Sequence, residues 1–153
     1  MKRLLLIPAL FCLLMLNVAS MCSSDDNSSS STDPTPVITI VSQGTWRITS
    51  YVDSGTNETN HFTGYNFTFG ASSVVTATNG TNTYTGTWSI VTDSSNDDNP
   101  SSDLDFNIAF ASPVDFADLT DDWDVVSYTA TTISLIDVSG GNGGTDTLVF
   151  TKN

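Results

Sequence analysis

From Thr45 onward, apolar and polar residues alternate with a period of two, in short runs broken by clusters of Gly, Asn, Asp and Ser. Tyr65, Phe67 and Phe69 fall on one face with Asn66 and Thr68 on the other. Leu104, Phe106, Ile108 and Phe110 alternate in the same way with Asp105, Asn107 and Ala109. Because strand side chains point alternately to opposite faces, such runs can only be strands with one buried and one wet face. The polar positions hold Ser, Thr, Asn, Asp and Gly where a helical protein would carry Glu, Lys, Arg and Gln, so the fold class is all-β.

The pattern predicts strands at Thr45 to Val52, Tyr65 to Phe69, Val74 to Thr78, Thr83 to Val91, Leu104 to Phe110, Trp123 to Thr129, Thr132 to Val138 and Thr147 to Lys152. Val37 to Val41 reads as a further leading strand. Asp53-Ser54-Gly55, Asn79-Gly80 and the Gly140 to Gly144 run supply turn residues that tolerate positive φ. Two connections are longer. Thr92 to Ser102 is a polar loop, and Ser112 to Leu119 reads as a short helical turn, capped by Ser112 with Pro113 first, placed to plug or cover the fold. About eight antiparallel strands without helical crossovers imply an up-and-down barrel, with an immunoglobulin-like sandwich as the alternative.

A barrel of eight strands is just wide enough to be filled by its own side chains or to hold one small ligand. Trp46, Ile48, Tyr65, Phe67, Phe69, Trp88, Ile90, Phe106, Ile108, Phe110, Leu135, Leu148 and Phe150 all point at the common interior. That filling is bulky, so a pocket is expected to be small and near the rim. Val75 and Ala77, the small inward residues, with Gly86 opposite, mark the corner where it is expected, and Trp88 and Phe106 complete the candidate ligand-binding set. Tyr51, Tyr84 and Tyr128 are the candidates for exposed aromatic surface at the loop ends.

The amino-terminal region reads as a targeting device. Met1-Lys2-Arg3 precedes an uncharged apolar run from Leu4 to Leu16, of signal-peptide length. Val18-Ala19-Ser20-Met21-Cys22 follows it, and the polar stretch Ser23-Ser24-Asp25-Asp26-Asn27-Ser28 comes next. This arrangement resembles bacterial lipoproteins, in which residues 1-21 would be the signal peptide and Cys22 the acylated anchor. Met21 stands where that family usually has a small residue, and Val18-Ala19-Ser20 would also suit an ordinary signal peptidase. Asp25 and Asp26 resemble the signal by which Bacteroidetes-type lipoproteins reach the outer face of the outer membrane. Residues 22-36 are Ser, Asp, Asn, Thr and Pro after the Cys, too polar to fold alone, and read as a flexible tether ahead of a domain spanning 37-153.

Two Gly-Thr-Trp segments, Gly44-Thr45-Trp46 and Gly86-Thr87-Trp88, and a third tryptophan in Asp122-Trp123-Asp124, are each read as opening a strand. An indole there can close a barrel end with its N–H on a carbonyl, and the Gly permits close backbone approach. With Phe62 to Phe67 and the closing Leu148 to Lys152, the domain resembles the small lipocalin-like domains of Bacteroidetes lipoproteins. The resemblance implies a barrel-end motif of Gly44, Trp46, Gly86 and Trp88, with Lys152 packed over the tryptophan in place of the family's usual Arg and Arg47 as its substitute. The family's long first loop and its Cys pairs are absent, so its ligand preferences do not transfer.

Charge and chemistry narrow the function. The chain carries 4 Lys+Arg against 17 Asp+Glu, a formal charge of -13, which leaves no basic surface for nucleic acid. His61 is the sole histidine and Glu58 the sole glutamate, so a zinc site, a catalytic triad and a glycosidase carboxylate pair all lack parts. The acidic runs Asp93 to Asn99 and Asp118 to Asp124 lack EF-hand spacing and read as solvated loops. The expectation is a non-catalytic protein with no metal and no cofactor, lipid-anchored to the cell envelope and facing the exterior, that binds a small apolar or amphipathic ligand. The alternative is an accessory surface protein whose loops contact a glycan or a partner protein.

Overall fold

The computed structural model describes residues 33–92, 104–139 and 144–153. Helix α1 (Thr35–Val41) leads into β1 (Trp46–Asp53) and the short β2 (Thr56–Asn57), and a 3-10 helix (Thr59–Phe62) precedes β3 (Asn66–Gly70). There follow β4 (Val74–Thr78), β5 (Thr83–Thr92), β6 (Leu104–Ala109), α2 (Val114–Ala117), β7 (Asp121–Tyr128), β8 (Thr132–Val138) and β9 (Thr145–Lys152). β2 apart, neighbours in sequence are neighbours in the sheet, all antiparallel, and β9 returns to pair with β1 from Trp46↔Lys152 to Val52↔Thr147. The result is a closed eight-stranded up-and-down barrel, with β2 as an additional strand hairpinned onto the end of β1. Successive pairing removes every long exposed edge, which is how a chain this rich in strands avoids pairing with other chains.

Alternation delivers the interior. In β6 the burial runs strictly one in, one out, with Leu104, Phe106 and Ile108 inside. Every buried residue among those described is hydrophobic. Phe67, Phe69, Phe106 and Phe150 form edge-on and tilted ring contacts across the lumen at 5.4–6.5 Å between centroids, the geometry that aromatic quadrupoles favour.

The leading segment departs from the expected strand. Val37, Thr39 and Val41 fit a strand face, but Val37 and Val41 are also i and i+4 and share one face of a helix. The helix is the form that lets both bury completely against the end of the barrel, so tertiary packing overrides the β-propensity of Thr, Val and Ile. Thr35 and Pro36, read as tether, belong to this helix. Pro34 occupies the cap position, and Asp33 supplies the missing side chain by accepting a 2.9 Å bond from the Thr35 N–H. Hydrogen bonding to Thr35 holds the Asp33 carboxyl below its ordinary pKa.

The ladder is incomplete in two places. β1 and β3 share a single rung, Trp46↔Phe67. β5 pairs with β4 from Thr83 to Thr87 but with β6 only from Thr87 to Thr92. Both gaps open toward the end of the barrel where β1 finishes, here the upper end. The 3-10 helix fills the first gap and the α2 segment covers the second.

Candidate functional site

The lower end is closed by the motif residues. Trp46 is completely buried, and its indole N–H donates to the Val41 carbonyl at 2.9 Å, tying α1 across the barrel. The Lys152 ammonium lies 5.1 Å from the Trp46 ring centroid, within reach of the ring's negative face. Gly44 has φ +75°, and a side chain there would press on the Lys152 stem at 3.1 Å. Arg47 points outward and donates to Asn153 Oδ1 at 3.1 Å.

The other two tryptophans lie within their strands rather than opening them: Trp88 is deep in β5 and Trp123 is the third residue of β7. What unites the three is the bond each indole makes. Trp88 donates to Gly70 O at 3.0 Å and Trp123 to Leu119 O at 3.1 Å, so every buried indole N–H is satisfied by main chain.

Val75, Ala77, Trp88 and Phe106 are all buried, and of the four Trp88 also borders an open groove on the outer wall. Phe69, Trp88 and Phe106 contact one another at 5.4–6.1 Å between ring centroids. At the Gly86 corner a Cβ would collide with the Ala109 carbonyl oxygen and come within 2.9 Å of the Phe110 ring. Gly86 is glycine because the Ala109 carbonyl and the Phe110 ring occupy its side-chain space, and an open groove of about 520 Å³ lies at that corner between Val74, Thr85, Gly86, Ala109, Phe110 and Ala111.

The upper end is built differently. Phe116, from the four-residue α2, reaches inward and is 2% exposed. Its ring sits among Tyr84 at 4.7 Å, Tyr65 at 5.0 Å, Phe62 and Phe110 at 5.3 Å and Phe67 at 6.0 Å. The rest of the helix faces water, with Val114 75% exposed. Pro113, not Ser112, holds the cap position, without a side-chain bond. His61 lies in the 3-10 helix, with Nδ1 3.2 Å from Glu58 and 3.7 Å from Asp115, so it links that helix to α2.

Tyr51, expected at the surface, is 2% exposed. Its hydroxyl donates to Asp118 O at 2.9 Å, and its ring meets Phe62 and Trp123 edge-on. Burial, and then the charges of Asp53, Asp146, Asp118 and Glu58, push its phenol pKa well up. Tyr84 and Tyr128 are half-buried against the core, and a hydrogen bond with Tyr65 raises the Tyr84 phenol. Sequence reasoning missed this aromatic box because its five rings come from separate elements that only the barrel brings together. The signal available was Phe116 itself, the one aromatic residue in the connection from Ala111 to Thr120.

On the outer wall, a groove of about 480 Å³ crosses β5, β6 and β7 between Ser73, Ser89, Asn107, Thr120 and Asp122. Asp121 to Asp124 belong to β7 rather than to a loop. Asp121 lies at the groove's upper edge. Desolvation, the hydrogen bond with Asp122 and the charge of Asp137 push its carboxyl up to about 6. A second groove of about 290 Å³ follows the β1–β3 gap beside Arg47, Thr63 and Tyr65.

Cys22, Asp25, Asp26, the Asp93 to Asn99 run and Gly140 to Gly143 lie outside the described residues. Among the described residues no group of three His, Cys, Asp or Glu side chains is arranged to hold a metal ion, and no helix is long and apolar enough to cross a membrane.

No family model matches the chain, and no curated protein matches it. Among solved structures, the chain is similar to a DUF4847 family protein from Bacteroides vulgatus, at 17% identity and a TM-score of 0.47, over 76% of this chain and 97% of that one.

Proposed function

We propose that this chain is a non-catalytic, lipid-anchored protein of the cell envelope, displayed on the outer face of the outer membrane, whose barrel binds one small apolar ligand. The observation that carries the ligand reading is the interior: all described buried residues are hydrophobic, and one end is stopped by a side chain from a connecting segment rather than by the wall. Among the described residues the interior holds no carboxylate, imidazole, ammonium or thiol, and its Tyr51 hydroxyl and indole N–H groups are bonded to main chain, so it rewards an apolar guest. The anchor reading rests on Cys22, which follows an apolar signal-length run and opens a Ser/Asp stretch. Two or more acyl chains there would hold the protein to its membrane stably.

Two experiments test these readings. Cys22→Ser should move the protein from the membrane fraction to the soluble one, and intact mass of the native protein should show acylation at Cys22; an unmodified chain beginning at Met21 would reject the anchor. Protein purified from its own host should release a small apolar compound on extraction after native mass spectrometry, whereas a large hydrophobe such as haem would contradict the small volume available. A second reading, an accessory surface protein, is favoured by the hydroxyl, amide and carboxylate lining of the outer groove, which suits a glycan. Bare protein that adheres to a surface polysaccharide would select it.

A further inference from the structure

We propose that the aromatic box around Phe116 is a binding site for a single flat apolar ring, and that α2 is its stopper, with the Phe116 ring standing in for the ligand. The inference rests on the ligand reading above and names its place and chemistry. Five rings from the 3-10 helix, the residues leading into β3, β3 itself, β5 and the end of β6 surround one position, at 4.7–6.0 Å between centroids. Their mutual arrangement, with edge-on contacts from Tyr65, Phe62 and Phe110 and a stacked one from Phe67, is the set of contacts an aromatic guest would make. The box lies under the gap in the wall where Thr83 to Gly86 of β5 have no β6 partner.

What closes that gap is weakly held. A helix of four residues cannot sustain itself, and its backbone bonds run only between Pro113 and Thr120, to Pro113, Val114, Phe116 and Ala117 carbonyls, with none to a barrel strand. Its polar tie to the barrel is the half-exposed contact of Asp115 with His61, a class of pair that contributes little. The segment is fastened after the helix, where Tyr51 bonds Asp118 O, Trp123 bonds Leu119 O and Thr120 bonds both main-chain groups of Phe110. Ala111 to Ala117 can therefore swing out about that fastening without breaking a rung of the barrel. Opening replaces the Phe116 ring by a guest ring and leaves the wall intact.

Fluorobenzene, followed by fluorine NMR against wild type and Phe116→Ala, tests this. Wild type should bind it saturably and weakly, because the stopper must first be displaced. The variant should bind at least tenfold tighter, and ring signals of Tyr84, Phe110 and Phe62 should shift in both proteins. If the variant fails to fold, Phe116→Leu carries the comparison with the same expected direction. Binding by the variant with none by wild type would overturn the proposal, since the cavity would then be only a hole made by the substitution. Failure of both to bind, in a protein that carries a small apolar compound from its host, would remove the box while sparing the ligand reading. Failure of both in a protein that carries nothing would remove the two together.

Discussion

Trp46→Ala tests how the lower end is closed. The side chain is completely buried, and truncating a buried Trp costs about 3–5 kcal/mol in transfer and cavity terms. The indole also satisfies the Val41 carbonyl, and a buried acceptor left without its donor adds about 1–3 kcal/mol where water cannot enter. Against the ~5–15 kcal/mol that holds a typical domain, the loss should bring the urea midpoint down sharply and lower Tm by on the order of 10 °C or more. Two milder variants divide the effect. Trp46→Phe keeps most of the ring and removes the N–H, for about 1–3 kcal/mol. Lys152→Met keeps the stem over Gly44 and removes the charge 5.1 Å from the ring, for about 0.5–1 kcal/mol. Hydrogen exchange should show α1 released in Trp46→Ala, because the Trp46 bond is what ties Val41 across the barrel. A Trp46→Ala midpoint equal to wild type would refute the closure argument.

Asp121 has its carboxyl raised to about 6, above its unfolded value, so the folded state holds the extra proton between about pH 4 and 6 and stability falls as pH rises through that window. Asp121→Asn should flatten this slope and stabilise the protein at pH 7 by about 1 kcal/mol, discounted for solvent screening of a partly exposed group; an unchanged slope in urea melts across that range would reject it. Gly86→Ala should destabilise by about 1–3 kcal/mol or more through overpacking against the Ala109 carbonyl and Phe110. Gly64→Ala, at φ +83° with nothing near its Cβ, should cost only about 1–2 kcal/mol of backbone strain, and the order of the two thermal midpoints decides the matter.

Strands were legible because period two survives any tertiary arrangement. Val74–Thr78 and Thr132–Val138 appear with the expected bounds, and the other six differ by a few residues at their ends. α1 was not legible, since Val37 and Val41 satisfy a strand face and a helix face equally, and only the open barrel end below them decides. Tyr51 was misplaced for a related reason: the bulge in β1 between Ile48 and Ser50 shifts the alternation by one residue and turns Tyr51 inward. The candidate ligand residues Val75, Ala77, Trp88 and Phe106 were rightly read as inward-facing, but volume cannot be read from direction. How much space a corner keeps depends on which ring from elsewhere enters it: Phe110 fills the side-chain position of Gly86, and the space left there is the open groove beside Val74, Thr85 and Ala111.

Two threonines, Thr59 and Thr120, help explain why the barrel is tight below and closed by removable parts above. Where β1 leaves β3, the Thr59 hydroxyl accepts from Tyr51 N–H at 2.8 Å and donates to Tyr51 O at 3.2 Å. Where β6 runs past its partners, the Thr120 hydroxyl does the same for Phe110, accepting at 3.0 Å and donating at 3.1 Å. A hydroxyl can replace one rung because it offers a donor and an acceptor together. Each threonine satisfies the main-chain groups of one residue beside a gap, so the wall opens there without leaving those groups orphaned. What lies beyond is left to side chains: Phe62 in one gap and Phe116 in the other. A gap sealed by hydrogen-bonded strands would open only at the cost of several rungs, whereas one sealed by a single ring opens for the cost of that ring's contacts, which an incoming ring restores.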